Sequence, residues 1–144
     1  MKIRFPKAIA AGVVGTAVMT VVSVYVAPMM GMPRMNPAEM LAGQMGGNMM
    51  MGWAAHFLVG VVLAVIYAVV AVGLPGPVVV RGALFGIAPW LVAQAVIMPM
   101  MGMGMFSGSM MLAGGSLIGH LLYGAVVGLV YGASGQMSGT VTVK

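Results

Sequence analysis

Two histidines and 19 methionines are the side chains of this 144-residue sequence with the clearest capacity for chemistry. His56 and His120 each fall inside a long apolar run. An ionisable group is costly there, so its presence is a functional hypothesis by default. Four-residue steps from His56 reach Gly60, Ala64 and Ala68; from His120 they reach Gly124, Gly128 and Gly132. On a helix each imidazole then heads a stripe of small residues, where another backbone or a flat ligand can approach.

Three roles fit the pair. Neutral imidazoles hydrogen-bonded to a carbonyl or hydroxyl would lock helices together and bind nothing. One imidazole from each of two helices would meet the minimum requirement for ligating haem b. Histidine with methionine would make a soft-metal site, since thioether sulfur suits Cu(I). The methionines crowd two stretches, residues 29–51 and 98–111, and spacings such as Met101-x-Met103-x-Met105 could gather such an ion. The candidate metal ligands are His56, His120, Met29, Met30, Met32, Met100, Met101 and Met103. Against this, methionine is also a flexible apolar filler for irregular backbone.

Other chemistry is excluded by what the sequence lacks. It has no cysteine, hence no disulfide and no thiolate. It has no aspartate, and Glu39 is its sole acid, so no intramembrane carboxylate pair is available for proton or sodium coupling. No Ser/His/Asp set, phosphate loop or dinucleotide fingerprint appears. The expectation is a non-catalytic accessory or structural membrane protein without a cofactor, acting as a homo-oligomer or as a subunit of a larger complex. Cu(I) handling and haem b binding are the alternatives.

The elements that position these residues follow from composition. The chain is 62% hydrophobic and 5% charged, against about 25% charged in a soluble domain. Lipid must therefore solvate most of the surface, in one membrane domain covering 1–144. A bilayer core takes roughly 20 apolar residues per helix, and four segments qualify, at about 8–30, 53–73, 78–101 and 110–133. Pro89 is expected to kink the third. The net charge of +5 does not mark a nucleic-acid binder, because the basic residues are few and lie near span ends. Lys2, Arg4, Lys7, Arg81 and Lys144 fall on one side if the spans alternate, which predicts cytoplasmic termini in a prokaryotic inner membrane. The methionine-rich connections then face outward. Tyr67 and Tyr131 are expected in an aromatic belt at the inner boundary.

The sequence also repeats. Pro28-Met29-Met30-Gly31-Met32 returns as Pro99-Met100-Met101-Gly102-Met103, and Met40-Leu41-Ala42-Gly43 as Met111-Leu112-Ala113-Gly114. After a seven-residue deletion His56, Leu58, Gly60, Val62 and Tyr67 pair with His120, Leu122, Gly124, Val126 and Tyr131. The fold class expected is thus an all-α four-helix bundle of two parallel two-helix repeats, about 8–73 and 78–133, related by a pseudo-twofold axis along the membrane normal. Asn36-Pro37-Ala38-Glu39 reads as a helix start, with Asn36 as N-cap and Glu39 reaching back to it, so a short outer interfacial helix follows the first span. Ser107 is expected at the matching cap position of the second copy. Ser23 and Gln94 also align, mid-span, as interhelical hydrogen-bonding residues.

Those motifs, with Arg81-Gly82-Ala83-Leu84, Pro89-Trp90 and Gly119-His120-Leu121, resemble an uncharacterised family of small four-span bacterial and archaeal membrane proteins. The resemblance covers about residues 7–133. It implies the fold and topology and carries no activity and no functional residue.

Overall fold

The computed structural model describes residues 3–132. Four of its helices are long and apolar enough to cross a membrane: α1 (Phe5–Met29), α3 (Met49–Gly73), α4 (Val78–Met100) and α5 (Met110–Gly132). The shortest have 23 residues, about 35 Å at 1.5 Å per residue, enough for a core about 30 Å thick. A short helix, α2 (Pro37–Gln44), lies between the first two. The described residues contain no strand. Asn48 caps α3, its side chain accepting the Met51 N–H at 3.2 Å, so this helix starts four residues before the expected 53.

The helices pack in the lateral order α3–α1–α5–α4, with α2 against α3. Close backbone approach sets this order. A Cβ placed on Gly82 would strike the Gly124 carbonyl, and one on Gly124 would strike the Gly82 carbonyl. Gly86 and Gly128 continue this contact one turn away in each direction, the small-x-x-x-small geometry of membrane helix pairs. Gly12 and Gly60 do the same for α1 and α3. The small-residue stripes below both histidines therefore meet partners within the chain.

α3 and α4 share the turn at 74–77 but touch little beyond it. There Tyr67 stacks edge-on against Phe85, with centroids 5.4 Å apart, and its hydroxyl donates to the Val78 carbonyl at 3.5 Å. Tyr67 is 1% exposed, so it is a core residue rather than a member of a boundary belt. Its ring fills the space where four helices converge. With Ala11, Ala64, Tyr123 and Val127 it forms the apolar core of the turn end.

Both α1 and α4 contain a π-helical turn, at Val22–Val26 and Ala93–Ile97, 71 positions apart. Each stands just before a proline, Pro28 or Pro99. A proline cannot donate to the carbonyl four residues back and crowds it, and widening the turn relieves both problems. In α1 the Ala27 N–H bonds the Val22 carbonyl, and Pro28 has no N–H to offer Ser23. The Ser23 carbonyl accepts instead from Met35 at 3.4 Å, folding the 30–36 loop back over the helix end. Pro89 lies inside the helix. The α-helical pattern runs through it, and the irregularity falls at 93–97.

Asn36 caps α2 as expected, its Oδ1 accepting from Ala38 N–H at 3.0 Å and Glu39 N–H at 3.4 Å. Glu39 does not bond the cap's backbone; it accepts from the Asn36 side-chain amide at 2.9 Å. Asn36→Ala is expected to cost about 0.5–2 kcal/mol of local stability. Hydrogen exchange should register it as faster exchange in α2 with α4 and α5 unchanged. In the second half Ser107 is not a cap. It sits in a 3-10 turn with φ +58°, beside Phe106 at +53°, in the left-handed region that side chains rarely adopt. Ser109 takes the capping place, its hydroxyl accepting from Leu112 N–H at 3.4 Å.

A cavity shared by the two histidines

Above the aromatic core, at the end bearing the 30–48 and 101–109 connections, the helices line a half-open cavity of about 160 Å³. Both His56 and His120 line it. So do four methionines: Met19 from α1, Met35 and Met40 from the roof, and Met98 from α4. Ser23, Ser116 and Tyr123 are the other polar residues on its wall. No carboxylate lines it, and no three His, Cys, Asp or Glu side chains gather anywhere among the described residues.

The hydrogen bonds bear on which imidazole nitrogen carries the proton. Thr20 donates its hydroxyl proton to the Thr16 carbonyl at 2.7 Å. Its oxygen lies 2.9 Å from His56 Nε2; with the Thr20 proton on the Thr16 carbonyl, the imidazole is the donor and Nε2 holds the hydrogen. His120 Nδ1 lies 2.8 Å from the Ser116 carbonyl, which only accepts, so there Nδ1 holds the hydrogen. His56 Nδ1 and His120 Nε2 are left as lone-pair nitrogens without a hydrogen-bond partner among the described residues. A neutral histidine with one N–H tied to an oxygen and the other nitrogen open has the tautomer of a metal ligand.

The two hydrogen bonds also differ in what they tie down. His56 links α3 to α1, whereas His120 bonds its own helix one turn back. The difference follows from sequence: Leu91 stands 71 positions after Thr20 and offers no oxygen. A second polar chain leads to His120. Ser107 donates to Gln94 Oε1 at 2.8 Å, and Gln94 Nε2 donates to the Ser116 hydroxyl at 3.2 Å. Gln94 is fully buried, placed by the π turn, and bonds between α4 and α5 as expected. Ser23 makes no side-chain hydrogen bond among the described residues; it lines the cavity instead.

The candidate methionines divide. Met29, Met30 and Met100 project outward, with exposures of 86, 73 and 78%. Met101, Met103 and Met32 are also off the wall of this cavity. Met29, Met30 and Met100 stand at or beside the span ends, where the helix surface faces its surroundings and not the bundle. The cavity methionines were hidden from sequence reasoning for two reasons. Met19 and Met98 look like ordinary span residues, and Met35 and Met40 reach the cavity only because the loop folds back. The signal that finds Met19 is spacing: it neighbours Thr20 on the helix whose face meets His56.

A family model matches residues 4–140. The chain belongs to DUF6789, a family of unknown function. No curated protein and no solved structure matches it. The geometry of this DUF6789 chain must therefore carry the functional argument alone.

The roof of the cavity has its own electrostatics. Arg34 donates to both Glu39 carboxylate oxygens, at 2.8 and 3.2 Å, and Asn36 adds a third bond. The Arg34 guanidinium, then the Asn36 amide, hold the Glu39 carboxyl below the usual carboxylate range. A depressed folded pKa stabilises α2 fully above the ordinary carboxylate value, and that stabilisation is lost as pH falls through the lowered one. Glu39 is the only side-chain carboxyl, so its ¹³C titration is unambiguous. Its midpoint is expected below that of a free glutamate and to rise in Arg34→Ala.

Proposed function

We propose that this protein binds a soft monovalent cation, Cu(I) or its analogue Ag(I), in the cavity between His56 and His120, and handles that ion at the outer face of a prokaryotic inner membrane. The observation that carries this reading is that both imidazoles, in ligand-competent tautomers, line one cavity with four thioethers. Imidazole and thioether together suit copper, and thioether selects its reduced form. Charge argues the same way. A divalent ion in a low-dielectric cavity needs anionic ligands, and none is on the wall; a monovalent ion with neutral ligands leaves one net charge.

A volume of this size matches a cavity that holds benzene, much smaller than a porphyrin, which disfavours haem b. The homo-oligomer or accessory-subunit reading rested on the small-residue stripes, and these are occupied within the chain. The two halves are read as parallel repeats, supported by the π turns 71 positions apart. Arg4, Lys7 and Arg81 at one end support cytoplasmic termini; Lys2 and Lys144 lie outside the described residues.

Metal analysis of protein purified with and without added copper tests the proposal. The wild type should retain copper and the His56→Ala/His120→Ala variant should retain less of it. Equal metal content in both would refute the reading.

A further inference from the structure

A second, smaller cavity lies beside the first. It is about 10 Å³, close to the size of a single water or ion. Its lining includes three thioethers from two segments: Met32 and Met35 on the loop after α1, and Met111 at the start of α5. Ser23 and Met35 line both cavities, so the two are neighbours through a shared wall. No ionisable side chain lines the small one.

From this arrangement we infer a second cation site, built from methionine alone, in which Met32, Met35 and Met111 hold one Cu(I) or Ag(I) ion. Three features support it. The void is sized for an atom and not for a molecule. Its softest donors are thioethers, which discriminate against hard cations such as sodium, magnesium and calcium. Met111 is 56% exposed, so one ligand of the set is within reach of solutes from the loop end.

Loop backbone, not a helix, places Met32 and Met35, while Met111 stands on α5. Met32 N–H bonds the Ala27 carbonyl at 3.1 Å, and Met35 N–H bonds the Ser23 carbonyl that Pro28 leaves open. Both anchor the loop to the end of α1, bringing Met35 between the two cavities. That an ion bound here passes on to the histidines through Met35 rests on the function proposed above. Binding at the methionine site does not.

Ag(I) titration of the full chain in detergent separates the two. Wild type is expected to take up two ions. Met32→Leu/Met111→Leu, a near volume-conserving change, should lose one ion and keep the histidine-bound one. His56→Ala/His120→Ala should keep one ion, and X-ray absorption of its Cu(I) form should show sulfur neighbours without imidazole. Undiminished uptake by Met32→Leu/Met111→Leu overturns the methionine site while leaving the histidine site standing. Undiminished uptake by the histidine variant, with loss in the methionine variant, does the reverse. A wild type that binds no Ag(I) overturns both.

Discussion

Gly124→Leu should be among the most destabilising single substitutions in the bundle. A side chain there has no space to enter, because the first carbon already meets the Gly82 backbone carbonyl and the neighbouring Gly86 nitrogen. Backbone cannot rotate away as a flexible side chain can, so α4 and α5 must separate. Overpacking costs about 1–3 kcal/mol in ordinary cores, occasionally more, and the backbone contact puts this case at the upper end. Gly114→Ala, on the same helix, provides the contrast. Its Cβ would meet nothing within 4 Å, and alanine is favoured over glycine in a helix by about 1 kcal/mol. Unfolding in mixed micelles should show a large loss for the first and none for the second.

The second large effect is expected at Thr20→Val. Valine keeps the shape but removes the oxygen that receives the His56 Nε2 proton. The imidazole is then free to change tautomer, presenting a hydrogen where the cation needs a lone pair. Losing such a partner behind a metal ligand typically weakens affinity by about 10–100-fold. Thr20→Ser should restore it, since the serine hydroxyl can occupy the same place. Competition between the protein and a Cu(I) chelator measures the change. An affinity unchanged in Thr20→Val would mean that His56 is held for packing only.

Much of the architecture can be read from residue types. Four apolar runs, the basic residues at their ends and the Asn36 cap all act locally, within one helix or one turn. Their physical causes lie in neighbouring residues, and the helices appear within a few residues of their expected limits. Tertiary consequences were harder to see. Tyr67 looks amphipathic and suited to a boundary, yet convergence of the helices at the 74–77 turn buries it against Phe85. Pro28 and Pro99 belong to a repeated motif, whose spacing alone does not announce a π turn or an open Ser23 carbonyl. That carbonyl decides where Met35 goes.

The site itself was half legible. Ionisable groups in apolar spans are conspicuous because their cost is high, so His56 and His120 stood out. The methionines nearest them did not, since a thioether is apolar enough to belong anywhere in such a chain. Only the loop's return over α1 distinguishes Met35 and Met40 from the exposed Met29 and Met30.

The central claim is that the two imidazoles present lone pairs to one cavity and share one soft cation. With only two histidines in the chain, ¹⁵N-histidine labelling resolves all four ring nitrogens. The metal-free protein should show His56 protonated at Nε2 and His120 at Nδ1. Ag(I) addition should then shift His56 Nδ1 and His120 Nε2 together, in equal proportion, as a single ion binds both. Shifts confined to one histidine, or none at saturating Ag(I), would contradict the account.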